Sequence, residues 1–109
     1  MSFSNYEKEI IELKFTELNN YLDARKNELR HSFKFGFSCE CYPFVINIHV
    51  LNNRIDYLYG PGMEDVPIDR ISIDVMYEIL FRAKTIKAEF DKTLERDTVR
   101  MADIMNLKF

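Results

Sequence analysis

The spacing of apolar and polar residues changes period twice along the chain and divides it into helix, sheet and helix. From Asn5 to about Arg30 there is no proline or glycine, and Ile11, Phe15, Leu18, Leu22 and Leu29 fall on one stripe at a helical period. Ser4 followed by Glu7 is a capping box that sets the helix start. Tyr6, Ile10 and Leu13 form a second stripe beside the first, with Tyr21 between them. The apolar arc is therefore wider than the roughly 100° of an ordinary surface helix. Such a helix is expected to touch two things, its own sheet and something else.

The period then drops to two. In FKFGFSCEC (33–41), Phe33, Phe35, Phe37, Cys39 and Cys41 alternate with Lys34, Gly36, Ser38 and Glu40, a strand with one apolar face. FVINIHVL (44–51) and RIDYLY (54–59) are two further strands, and Asn52-Asn53 between them suits a two-residue hairpin turn because asparagine tolerates positive φ. That turn sets Leu51 against Arg54, Val50 against Ile55, Ile48 against Tyr57 and His49 against Asp56. Pairing Cys41 with Phe44 puts Gly36 across from His49. Residues 61–71 read as a loop. A second helix opens at Ser72, a capping residue, with SIDVMYEILFRAKTIKAEF. Its buried stripe is Val75, Met76, Ile79, Leu80, Ala83, Ile86, Phe90 and Leu94. A bend at Arg96–Thr98 leads into a short last helix, TVRMADIMNLKF. The expected fold is a single α+β domain over residues 1–109, of order α-β-β-β-α(-α). It is a three-stranded antiparallel meander packed on one face by two long helices, with a short C-terminal helix.

Composition narrows the function classes. Hydrophobic residues make up 47% of 109 residues, enough for one core and too little chain for a deep enclosed site. The N-terminus has no secretory h-region and no apolar run approaches the roughly 20 residues of a membrane span, so a cytoplasmic location is expected, with no membrane partner. Cys39 and Cys41 are read as reduced thiols, since strand neighbours two apart are poorly placed for a mutual disulfide. C-x-C with His31 and His49 scattered elsewhere is a poor metal set, and neither a metal nor another cofactor is expected.

The order α-β-β-β-α over about residues 5–95 resembles double-stranded RNA-binding domains. That resemblance implies a lysine cluster at the start of the second helix. Here the place reads RISIDVMYEIL, with Asp74 and Glu78 and only Arg70 positive. A net charge of −3 also gives no global basic signal, so nucleic acid is not the expected partner. The segment from Met63 to Glu78 is locally acidic, with Glu64, Asp65, Asp69, Asp74 and Glu78 against Arg70. Size, acidic patch and element order together are similar to small phage-encoded inhibitors, including some anti-CRISPR proteins.

Two candidate surfaces follow. In the pairing above, His49 and Asp56 face each other on the non-core side of the sheet, where a carboxylate can orient an imidazole for proton transfer; the same pair also serves as an ordinary cross-strand contact. On the second helix, Tyr77 and Phe81 lie away from the core stripe, Lys84 continues that side, and Met101, Ile104, Met105, Leu107 and Phe109 add an adaptable apolar end. These residues, with Glu64, Asp65 and Asp69 for orientation, make up the expected partner-binding set. The alternative is that the last helix folds back over Tyr77 and Phe81. The expected role is a non-enzymatic interaction module, such as a small inhibitor, immunity-type protein, adaptor or chaperone, forming a homodimer through its helices. A small enzyme or ligand-binding protein built on His49 and Asp56 is the competing class.

Overall fold

The structure, a computed structural model, describes residues 2–106, with backbone alone for 98–103. Helix α1 (Asn5–Arg25) begins at the expected capping box: Ser4 Oγ accepts from the Glu7 amide and the Glu7 carboxylate accepts from the Ser4 amide. Strands β1 (Phe33–Cys39), β2 (Tyr42–His49), β3 (Arg54–Tyr59) and β4 (Glu64–Asp65) form one antiparallel sheet in that order. Helices α2 (Ile73–Phe81) and α3 (Ala83–Met105) follow. The α+β class and the meander stand. The sheet gains a fourth, two-residue strand inside the segment expected to be loop.

The break in the helical half lies at Arg82 rather than at Arg96–Thr98, so the short helix comes first and the long one last. No glycine or proline marks this break. The Arg82 amide donates to Ile79 and Leu80 carbonyls at once, tightening the final turn of α2. Its guanidinium bonds the Glu78 carbonyl and carboxylate and lies 4.2 Å above the Phe37 ring. The break thus coincides with a local Arg82–Glu78 pair and a long-range contact of the same cation with Phe37.

Both hairpin registers differ from expectation. The tight turn is Glu40-Cys41, both at positive φ, closing on the pair Cys39 and Tyr42. The β2–β3 connection takes Val50 to Asn53, with Asn53 at φ 50° and Leu51 pointing into solvent. Each ladder therefore slides by an even number of residues, and an even slip keeps every side chain on its face. Cys39 stays buried, whereas Cys41 leaves the strand for the turn and is exposed rather than packed among the phenylalanines.

The core lies between one sheet face and the helices. Phe44, Ile46, Ile48 and Tyr57 pack against Phe15, Leu18 and Leu22 of α1, Val75 and Ile79 of α2, and Ile86, Phe90 and Leu94 of α3. Phe15 meets the Tyr57 ring and Phe90 meets Phe33 edge-on, which sets α1 over β3 and α3 over β1. Asp97, buried, accepts from the Arg30 amide at 2.8 Å and pins the α1–β1 connection to α3. Asp91 joins the same helices by accepting from the Tyr21 hydroxyl at 2.6 Å and from Arg25 at 3.1 Å.

Candidate functional site

Two surfaces carry the candidate residues, the outer face of the sheet and the outer side of the helices.

On the sheet, His49 stands across from Arg54, Asp56 across from Asn47, and Gly36 across from Val45. The expected direct opposition of His49 and Asp56 is corrected to a diagonal one, and Gly36 is not the residue that leaves room beside the imidazole. The pair still meets: His49 Nε2 lies 2.7 Å from Asp56 Oδ2. At that distance the nitrogen must carry the proton, since two lone pairs would repel. Asn47 Nδ2 lies 3.1 Å from the same Nε2, donor facing donor, so with the proton on Nε2 no hydrogen bond joins these two atoms. Arg54 grips Asp56 from the other side, Nε to Oδ1 at 2.8 Å and Nη2 to Oδ2 at 3.3 Å. Asp56 and Asn47 are buried by these neighbours, and Asn47 Oδ1 is left without a partner. Arg54 and Asn47 complete the cluster: the alternation alone puts Asn47 on the same face one step along, whereas the opposition of Arg54 to His49 and of Asn47 to Asp56 needs the correct register.

Asp56 also borders a cleft of about 310 Å³ along the β3 edge, shared with Asn19, Asp23, Arg54 and Asp65. Asp23 is paired with Lys26 at 3.0 Å. Tyr57 hydrogen-bonds Asn19 behind this cleft, and burial pushes its hydroxyl pKa well up. Among the described residues no group of His, Cys, Asp and Glu stands close enough to hold a metal ion. Burial pushes the Cys39 thiol up, which makes it an inert core group.

On the helices, Phe81 is 79% exposed, but Tyr77 is only partly so. Among the described residues the ring that meets it is Phe3, ahead of α1, tilted at 51° with centroids 5.1 Å apart. Lys84 is exposed in the first turn of α3 and Met105 near its end. The side chain of Met101 and all of Phe109 lie outside the described residues. Glu64 and Asp65 are exposed on β4, and Asp69 is exposed in the single helical turn Ile68–Arg70. Asp69 lines a groove with Glu12 and Thr16 of α1, so the acidic segment borders that helix.

A further unexplained apolar surface is on α1 itself. Tyr6 is 73%, Ile10 39% and Leu13 58% exposed. Their row lies about 150° round the helix from the buried row of Ile11, Phe15, Leu18 and Leu22, on the far side rather than beside it. Comparison with protein-family models, curated proteins and solved structures finds no match to this chain. No helix among the described residues is long and apolar enough to cross a membrane.

Proposed function

We propose that the chain is a non-enzymatic protein-interaction module that binds and occludes a partner protein and works as a homodimer. The observation that carries this reading is the exposed row Tyr6–Ile10–Leu13, a contiguous apolar strip on a helix whose opposite side already supplies the core. Isolated exposed apolar residues are ordinary, but aligned ones with an aromatic mark a contact surface. The Phe3–Tyr77 pair adds apolar surface ahead of α1, and Phe81 is exposed one turn further along α2. Glu64, Asp65 and Asp69 supply orientation and on-rate toward a basic surface. The role is steric: an inhibitor, immunity-type protein, adaptor or chaperone acts by occupying its partner.

A second reading rests on the outer sheet face, where a buried carboxylate holds an imidazole and the Asn47 carbonyl oxygen stays unpartnered. This arrangement suits a small ligand or a proton-transfer reaction. Native mass spectrometry of the protein as purified, without added metal or chelator, separates the two. A dimer without adduct is the result expected from the interaction reading. A monomer carrying a metal ion or small molecule would overturn it in favour of the His49–Asp56 face, where His49→Ala then abolishes the retained mass.

A further inference from the structure

The two edges of the sheet are finished differently. Beyond β3 lies β4, two residues long, both acidic, followed by Val66, whose amide bonds the Tyr57 carbonyl, and then by Pro67. Short length, charge and proline are the usual devices that blunt an edge. The opposite edge, β1, runs seven residues with no proline, and among the described residues no strand pairs with its outer side.

The direction of its backbone groups follows from the turn. A two-residue hairpin loop closes on a hydrogen-bonded pair, here Cys39 and Tyr42, and hydrogen-bonded pairs then alternate along the ladder. Cys39, Phe37, Phe35 and Phe33 thus bond β2, and Ser38, Gly36 and Lys34 aim N–H and C=O outward. Pro43, which faces Ser38, confirms the phase by giving its carbonyl to the Gly60 amide on the β3 side.

We infer that a second copy of this chain occupies the β1 edge. The two β1 strands pair antiparallel about a two-fold axis at Gly36 and join two four-stranded sheets into one. This inference rests on the reading of the chain as a homodimer and moves its surface from the helices to the sheet edge. The edge is self-complementary in that register. Gly36 meets Gly36 of the second copy and Lys34 meets Ser38, so each outward-aimed residue faces another, with donors on acceptors throughout. Lys34 is the only charged residue in the strand. A register centred on it would set like charges together, whereas the Gly36 register sets each lysine against a serine.

The core side of the edge agrees. Phe35 and Phe37 are only half-buried in one protomer, and the two-fold places each against the other of the second copy. Beside Phe35 runs a groove of about 390 Å³ bounded by Glu89, Thr93 and Arg96 of α3. Arg82 sits over Phe37, so the axis carries the guanidinium of the second copy toward Glu89. An axis perpendicular to the sheet leaves all helices on one face. Because α1 lies over β3, far from the axis, both Tyr6–Ile10–Leu13 rows remain free, and the dimer presents them bivalently.

Sedimentation equilibrium combined with amide-resolved hydrogen exchange on the intact chain, over a range of concentrations, tests this. The expected result is a dimer in which the Lys34, Gly36 and Ser38 amides gain protection in step with the dimer fraction, while Phe35 and Phe37 are protected throughout. Ser38→Pro removes an N–H that β2 does not use, so circular dichroism should be unchanged and the dimer weakened by about tenfold or more. A dimer in which those three amides exchange as freely as the exposed turn at Asn52 would overturn the edge assignment and leave the homodimer reading standing. A monomer at every concentration would overturn both.

Discussion

The inner and outer rows of α1 are built from the same residue types and meet opposite surroundings. Leu22 is 1% exposed between sheet and helices, while Leu13, on the same helix, is 58% exposed. The helix does not need its outer row to fold: its capping box is complete and its inner row fills the core. Apolar side chains that contribute nothing to the core and are gathered in a row, rather than scattered, are the signature of a contact surface. Leu51 provides the contrast, 98% exposed yet alone on a turn, the kind of exposed leucine that requires no explanation.

The strongest way to break this comparison is truncation. Leu22→Ala should cost about 2–5 kcal/mol in urea unfolding, because a cavity opens where sheet and helices meet. Leu13→Ala should change stability by no more than about 0.5 kcal/mol. A large loss at Leu13 would show that the outer row belongs to the fold.

Alkaline titration separates inner groups from outer ones next. Burial first, then the Glu40 carboxylate accepting its O–H at 3.0 Å, pushes the Tyr59 hydroxyl up to about 12 from 10.0, and Tyr57 is raised too. An unfolded chain gives up these protons near pH 10, and the folded chain keeps them longer. The stability they contribute is therefore whole below pH 10 and lost as pH rises toward 12. Unfolding midpoints followed by circular dichroism should fall steadily across that window, and a flat profile would contradict the burial of Tyr57 and the packing of half-buried Tyr59 beside Glu40.

A smaller effect sharpens the account of the β1–β2 hairpin. Glu40 and Cys41 hold φ of 50° and 70°, values that favour glycine and asparagine. Cys41→Gly should raise stability by about 1 kcal/mol, measured as a shift in the urea midpoint at unchanged slope. A loss would mean that the Cys41 side chain contributes packing that its exposure does not suggest.

This hairpin also shows where the sequence was legible and where it was not. Period alone found α1, the three long strands and the face of every strand residue, because burial of one sheet face enforces alternation whatever the register. It missed the turn, since Asn52-Asn53 carries the familiar composition and Glu40-Cys41 does not, and the tight turn went to the strained pair. It missed the helix break because no glycine or proline marks Arg82, and the contact of its guanidinium with Phe37 forms only in the folded chain. It missed β4 because two exposed acids carry no strand pattern. At the candidate sites, the His49–Asp56 contact was visible as a shared face with Asn47 one step along, and Arg54 opposite His49 became visible with the true register. The outer row of α1 was visible as surplus apolar arc, but its position opposite the core needed the helix placed on its sheet.

The most direct test of the central claim is site-specific photo-crosslinking in the cells that make the protein. Benzoylphenylalanine at position 13 is compared with the same group at position 51, an equally apolar and fully exposed control. A discrete adduct of one partner mass from position 13, absent from position 51 and abolished by Tyr6→Glu with Ile10→Glu, is the result this account predicts. Position 13 giving no adduct, or the same diffuse products as position 51, would contradict it.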